Sequence, residues 1–306
     1  MALVPFDDRD GEIWMDGVMV PWRDAKLHVL SHGLHYASGV FEGERAYGGN
    51  IFKLRDHTNR LINSGRILGF EIPYTADEID AACLAVLAAN ELTDAYVRPL
   101  AWRGSEQLSV SAQQTRIHLA IATWPWPNLF GADRMKGVRL GMAPWKRPHP
   151  ETAPTASKAA GLYMIGTLSK HAAEAAGYDD ALMLNWRGQV SEATGANIFF
   201  AIDGALHTPT PDCFLDGITR RTVMTLARQR QMQVIERTIT MDEIAGASEV
   251  FLVGTAAEVT PVREIDGRHY TPGPITEALI RGYTDLVRMN PADVERRAPI
   301  APAMAA

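Results

Sequence analysis

A break rich in proline and glycine, Pro125-Trp126-Pro127-Asn128-Leu129-Phe130-Gly131, interrupts the 306-residue chain. Before it, Ile117, Leu119, Ile121 and Thr123 alternate as in a half-buried strand; after it, Gly137-Val138-Arg139-Leu140 resumes as a strand. Proline fixes φ and lacks an N–H donor, so a continuous ladder cannot run through this stretch. Length alone sets a prior of about two domains of about 150 residues each. The break therefore predicts a smaller N-terminal domain at 1–124, a linker or loop at 125–137 and a larger C-terminal domain at 138–306. Helix and strand patterns occur in both parts, which predicts an α/β class in the broad sense, an α+β two-domain fold.

In the N-terminal part, Ile13 to Val20 reads as two strands around an Asp16-Gly17 hairpin turn. Asp56 is expected to cap a helix through Leu68, with Leu61 and Leu68 on one face. Thr75-Ala76-Asp77-Glu78 forms a capping box, and Ile79, Ala82, Cys83, Val86 and Leu87 share the apolar face of the helix behind it. In the C-terminal part, a helix after Lys158 is expected to turn Leu162, Ile165 and Leu168 to a core. Turns at 185–188 and Asp203-Gly204, a helix at 218–230, strands near 233–239 and 249–253, and a final helix from about 274 to 288 follow. The tail 290–306 has no clear pattern, and partial disorder is expected there.

Composition excludes several function classes. A net charge of −6 without a long basic run argues against nucleic acid or an anionic membrane surface as partner. Two cysteines, Cys83 and Cys213, do not make a disulfide framework. The start lacks a basic n-region and an apolar h-region, and no apolar run approaches a membrane span, so a cytoplasmic protein is expected. His28, His32 and His35 would share a helix face, but the segment is rich in β-formers and no nearby cysteine or carboxylate completes a ligand set. They are read as structural histidines, and no metal is expected.

Three elements between 157 and 220 carry chemistry. Of the six lysines, at 26, 53, 136, 146, 158 and 170, only Lys158 lies among small residues: Ser157, Ala159, Ala160 and Gly161. Such neighbours would let a flat ring approach the backbone, and a nucleophilic lysine needs a setting in which it loses its proton easily. A solvated lysine ahead of a helix is the competing reading. Glu192 follows the Asn185-Trp186-Arg187-Gly188 turn in a run of small residues. A carboxylate beside a pyridine nitrogen keeps it protonated; an exposed turn glutamate is the alternative. Gly217-Ile218-Thr219 opens an apolar-periodic run with Asp216 as a plausible cap, and a helix start offers free N–H groups to a phosphate. Amine, carboxylate and phosphate cradle are the parts needed to hold pyridoxal phosphate. Tyr96 and Arg98 project from one face of a strand at 96–102, where they make a carboxylate site possible or are simply solvated.

The pattern Glu192-x-x-x-x-Asn197-Ile198-Phe199, then Leu206-x-Thr208, then Leu215-x-Gly217-Ile218-x-Arg220, resembles the signature of class IV aminotransferases, the fold-type-IV pyridoxal-phosphate enzymes. Within that class the chain most resembles the branched-chain amino acid aminotransferases over nearly its whole length. Ser31-His32-Gly33-Leu34-His35-Tyr36, Val40-Phe41-Glu42-Gly43, Tyr96-Val97-Arg98-Pro99-Leu100 and the run from Gly254 to Pro261 add to the likeness.

The resemblance implies pyridoxal 5′-phosphate joined to Lys158, which also serves as the catalytic acid–base. It places Tyr163 at the cofactor's phenolic oxygen, Glu192 at the ring nitrogen, and Arg60, Gly217, Ile218, Thr219 and Thr255 around the phosphate. Taken alone, Arg60 is a surface arginine. The substrate α-carboxylate falls to Tyr96 and the amides of Thr255 and Ala256, and the side-chain carboxylate of glutamate to Arg98. The apolar pocket falls to Phe41, Tyr163 and Trp126, together with Tyr36 and Val110 of the partner subunit. The implied reaction is amino transfer between leucine, isoleucine or valine and 2-oxoglutarate, by a homodimer or larger homo-oligomer. The loop at 102–110 lacks the family's second glycine and adds Arg103 and Glu106 near the presumed entrance, which bears on substrate range. D-amino-acid transaminase, (R)-amine transaminase, aminodeoxychorismate lyase and a non-catalytic cofactor-binding protein are the competing readings. The Tyr96-x-Arg98 strand and the run from Gly254 to Pro261 favour the branched-chain enzyme.

Overall fold

The computed structural model describes residues 4–126 and 131–289. Pro127 to Phe130 of the break, and the tail at 290–306, lie outside the described residues.

Two sheets organise the chain. The first is antiparallel and seven-stranded, in the order Val18–Pro21, Glu12–Met15, Ile117–Pro125, Ala95–Arg103, Glu44–Tyr47, Asn50–Ile51, with Gly39–Phe41 also paired to Ala95–Arg103. Its first hairpin turns at Asp16 and Gly17 with φ of 50° and 98°, the positive values that a two-residue turn needs to match strand twist. Helices Leu54–Ile67 and Ala76–Ala89 cover one face of the sheet. They bury Leu61, Ile79, Cys83 and Val86 completely, and each of the three aliphatic side chains is worth roughly 1.5–3 kcal/mol. The Thr75–Glu78 capping box forms as expected. The preceding helix, however, begins at Leu54 and not after Asp56. Lys53 takes the cap position in a left-handed conformation, and Asp56 falls in the first turn, where its charge suits the helix dipole and meets Lys53 Nζ at 3.1 Å. His32–Tyr36, expected to favour β structure, is a short helix.

The second sheet has nine strands in the order Val190–Ala193, Asp180–Leu184, Val138–Met142, Glu258–Ile265, Glu249–Gly254, Asn197–Ile202, Ala205–Pro209, Val234–Arg237, with Arg268–His269 on Glu258–Ile265. Val138–Met142 runs parallel to both neighbours, and Ala205–Pro209 is parallel to Val234–Arg237. Parallel neighbours need long crossovers. Helices Met164–Ala175 and Ile218–Gln229 lie in two of these connections. Phe199 and Phe251 stack at 5.2 Å in a core that includes helix Pro274–Val287. Tyr47 and Phe52, from the N-terminal part, enter that same core, so the two sheets meet along a shared apolar seam.

The segment after Lys158 departs from expectation. It opens as a 3₁₀ turn, Ala160–Tyr163, before helix Met164–Ala175. That helix buries Gly166, Ser169 and Ala173, while Leu168 is exposed and Leu162 lines a cavity. Close approach explains the choice of face: a Cβ at Gly166 would come within 3.0 Å of the Thr194 carbonyl. The small-residue side fits against that backbone, and the leucine side turns outward.

Candidate active site

A cavity of about 400 Å³ opens where the two sheets meet. Lys158 enters it from a backbone fixed by both parts of the chain. Its N–H donates to Ser64 Oγ at 3.0 Å, its carbonyl accepts from Phe41 N–H at 3.1 Å, and Ser157 Oγ donates to the Ser64 carbonyl at 3.0 Å. Ser64 is fully buried on helix Leu54–Ile67, so this anchor is rigid. Lys158 Nζ donates to Tyr163 Oη at 2.8 Å and lies 5.1 Å from the Phe41 ring centre. The amine is therefore aimed, with aromatic rings beside it.

Glu192 is a strand residue, 7% exposed, and not a turn residue. Arg147 Nη2 lies 2.8 Å from Oε1, and Asn197 Nδ2 donates to Oε2 at 3.1 Å. Burial pushes the carboxyl up to about 7, against the pull of Arg147 and Lys158. A buried carboxylate in this balance ionises readily once a cation is set against it.

Helix Ile218–Gln229 starts without a side-chain cap. Asp216, expected there, instead accepts from Arg220 Nη1 at 2.9 Å, and Gly217 holds the cap position. A Cβ at Gly217 would come within 2.2 Å of Asn197 Oδ1, so only glycine fits. The first-turn N–H groups of Ile218 and Thr219 are left to an anion. Arg60 borders the same cavity. Its Nε and Nη2 donate to Glu42 at 2.6 and 2.8 Å, and His57 Nδ1 lies 2.7 Å from Glu42 Oε2. Burial raises the Glu42 carboxyl, but Arg60 and His57 outweigh it and hold the group well below the usual carboxylate range. The guanidinium is braced from behind, and its Nη1 takes no part in that pair.

Tyr96, Arg98, Thr255 and Ala256 also line the cavity. Arg98 Nη2 donates to Tyr96 Oη at 3.2 Å, and its guanidinium sits 4.8 Å from the Phe41 ring centre and 5.2 Å from that of Tyr96. Its Nε is buried with no hydrogen-bond partner, a donor that a carboxylate in the cavity would satisfy.

Twelve expected site residues thus surround one cavity: Phe41, Arg60, Tyr96, Arg98, Lys158, Tyr163, Glu192, Gly217, Ile218, Thr219, Thr255 and Ala256. Three do not. Trp126 packs on the Tyr96 ring at 4.9 Å without lining the cavity. Tyr36 and Val110 share a separate surface depression, Tyr36 stacked on His32 at 4.6 Å and Val110 87% exposed. Arg103 and Glu106 do not line the cavity either. Arg103 donates to the Ala112 and Gly69 carbonyls, tying the loop to the end of helix Leu54–Ile67, and Glu106 accepts from the Arg116 N–H within the loop region. His32 is tied to Ser38 Oγ and the Ser109 carbonyl. No group of three metal-ligating side chains occurs among the described residues.

Sequence reasoning missed Arg147 and Ser64, and assigned no role to Glu42. Arg147 is 45 positions (192 − 147) from the carboxylate it meets, in Trp145-Lys146-Arg147-Pro148, which carries no local sign of a site.

An amine, a carboxylate across the cavity and an uncapped helix end beside an arginine suit a flat ring that bears a carbonyl, a basic nitrogen and a phosphate. Comparison with known proteins agrees. The model of the family "Amino-transferase class IV" matches residues 39–265. The chain belongs to the class IV aminotransferases. The enzyme is 44% identical over 288 residues to the branched-chain-amino-acid aminotransferase of Pseudomonas aeruginosa, covering 92% of this chain and 94% of that one. The branched-chain aminotransferase of Thermoproteus uzoniensis, solved with norvaline, superposes with a TM-score of 0.89 at 39% identity, covering 94% of this enzyme and 98% of that chain. The branched-chain amino acid aminotransferase of Thermobaculum terrenum, solved in its PLP-bound holo form, gives a TM-score of 0.85 at 32% identity, covering 94% and 97%. The fold is thus that of the fold-type-IV enzymes.

Proposed function

We propose that this enzyme transfers the amino group of the branched-chain L-amino acids leucine, isoleucine and valine to 2-oxoglutarate, with pyridoxal 5′-phosphate as cofactor. The observation that carries the reading is the placement of Lys158 Nζ and the Glu192 carboxylate on one cavity with the uncapped start of helix Ile218–Gln229. The cofactor, when bound, supplies an electron sink that makes the substrate α-proton acidic. The chain supplies the rest. Lys158, held by Ser64 and Phe41, moves the proton as general acid–base. Glu192 sets a negative charge against the ring nitrogen, and Arg147 and Asn197 hold that carboxylate in place. Arg60, Ile218, Thr219 and Thr255 hold the phosphate, and Tyr163 orients the phenolic oxygen. Tyr96 and the Thr255–Ala256 amides take the α-carboxylate. Phe41 and Tyr163 bound the apolar side of the pocket, with Trp126 packed against the Tyr96 ring.

The pocket has to accept both an aliphatic chain and a carboxylate. Arg98 is assigned to the side-chain carboxylate of glutamate and 2-oxoglutarate. A charge-assisted hydrogen bond is worth about 1.5–3 kcal/mol, so Arg98→Leu is expected to weaken the glutamate half-reaction roughly tenfold to hundredfold while sparing leucine. Single-turnover rates with each amino acid check this. Equal losses would assign Arg98 to the α-carboxylate instead, and wild-type activity confined to D-alanine or an (R)-amine would reject the substrate class.

The reading extends to a homodimer acting in the cytoplasm, with Tyr36 and Val110 completing the partner's pocket. Tyr36 and the 87% exposed Val110 border one surface depression, which supports a covered face there. No helix among the described residues is long and apolar enough to cross a membrane. Light scattering at assay concentration is expected to give at least twice the chain mass; a fully active monomer would refute the assembly. The separate core cluster within 40–121 supports placing the domain boundaries at 1–124, 125–137 and 138–306.

A further inference from the structure

Behind the phosphate end of the cavity lies a buried charge cluster to which the reaction assigns nothing. Glu258 Oε1 accepts from Arg45 Nη1 at 2.8 Å and from Tyr47 Oη at 2.8 Å, and Oε2 accepts from Arg134 Nη2. The three donors come from separate places. Arg45 and Tyr47 lie on strand Glu44–Tyr47 of the first sheet, and Arg134 on the 3₁₀ segment Gly131–Lys136 that follows the break. Glu258 itself is 8% exposed and opens strand Glu258–Ile265 of the second sheet.

Two features tie this cluster to ligand binding. Glu258 sits in the left-handed region, φ 52°, where a glutamate costs energy and persists only if its surroundings hold it. It closes the turn Gly254-Thr255-Ala256-Ala257, and Thr255 and Ala256 line the cavity. Among the described hydrogen bonds, the N–H groups of Thr255 and Ala256 have no partner. In addition, Arg45 and Tyr47 border a small void of about 10 Å³ together with Ile218, Thr219 and Thr255, the residues assigned to the phosphate. Two arginines on one carboxylate leave an excess positive charge directly behind an anion site.

We propose that Glu258 is a positioning residue: it fastens the turn at 254–257 to the first sheet and to Arg134, so that the amides of Thr255 and Ala256 point at bound anions. This rests on the aminotransferase reading above and deepens it. The turn serves two ligands, cofactor phosphate and substrate α-carboxylate, so loosening it weakens both. Because every substrate carries the α-carboxylate, the loss does not depend on the amino-acid side chain, in contrast to Arg98→Leu.

The test uses Glu258→Gln, which keeps the volume and one acceptor oxygen, and Tyr47→Phe, which removes one donor and leaves both arginine contacts. Pyridoxamine phosphate affinity is measured by calorimetry on the cofactor-stripped protein, and KM and kcat on the loaded enzyme. Glu258→Gln is expected to weaken pyridoxamine phosphate about tenfold and to raise KM for leucine and glutamate by similar factors, with kcat changed less. Tyr47→Phe is expected to shift the same quantities in the same direction by a smaller factor. A lowered melting temperature with unchanged dissociation constant and KM, in either variant, would overturn the proposal and make the cluster a stability element only. If Glu258→Gln does not fold, Tyr47→Phe decides on the same criteria. Failure of the wild-type protein to bind pyridoxamine phosphate would instead overturn the aminotransferase reading on which the proposal rests.

Discussion

Lys158→Ala is expected to lose amino transfer by about ten-thousandfold or more, the upper range for removal of a general acid–base, while remaining folded. The fold should survive because the lysine's structural contacts are made by its backbone: N–H to Ser64 Oγ, and carbonyl to Phe41 N–H. Alanine keeps both. The side chain contributes one hydrogen bond, to Tyr163 Oη, and its loss leaves that hydroxyl at the cavity wall, where water can replace the amine. Two measurements separate site from scaffold. Circular dichroism melts should coincide within a few degrees. The yellow absorbance of the cofactor-loaded wild type should be discharged by borohydride with covalent attachment at Lys158, and in the variant no attachment should occur. Turnover within a few-fold of wild type would sink the mechanism.

Glu192→Gln is expected to retain cofactor yet slow α-proton removal by about a hundredfold or more, the scale on which a lost preorganised electrostatic partner is felt. Glutamine keeps the shape and can still accept from one donor, but it has no charge to set against the ring nitrogen. Removing the carboxylate also leaves Arg147, 9% exposed in its side chain, without its counter-charge. A positive charge would then lie near the site where a cation has to form, which adds to the effect. A pre-steady-state half-reaction with leucine reads this step alone. A full-rate half-reaction would remove Glu192 from the electrostatic role, whatever the steady-state kcat. Burial holds the wild-type carboxyl up to about 7 even with Arg147 beside it, so cofactor affinity of the stripped protein is expected to rise as pH climbs towards that value. The same titration on Glu192→Gln should lose that rise.

Much of the site could be read in the sequence, because its groups sit in short local motifs. Lys158 among small residues, the Gly217-Ile218-Thr219 helix start and the run from Gly254 to Ala256 each carry their own backbone geometry, and all three line the cavity. The Thr75–Glu78 capping box and the Asp16-Gly17 turn were legible for the same reason. Errors arose where a residue had more than one partner to choose from. Asp216 fits the pattern of an N-cap, but Arg220 one turn on takes its carboxylate and leaves the helix end open. Leu168 has helical spacing with Leu162 and Ile165, yet contact between Gly166 and the Thr194 carbonyl rotates the buried face away from it.

By itself the sequence determined local chemistry: which amine lies among small residues, and where the Thr75–Glu78 capping box starts a helix. Family membership followed from the order of those motifs. Tertiary structure decided the electrostatics. Whether Glu192 is a solvated turn residue or a buried carboxylate pushed up to about 7 depends on burial and on Arg147, and neither is encoded in neighbouring positions. The same holds for Arg60 braced by Glu42, and for Glu258 gathering Arg45, Tyr47 and Arg134 from distant parts of the chain. Coulomb energy and desolvation depend on distance in space, which sequence separation does not report.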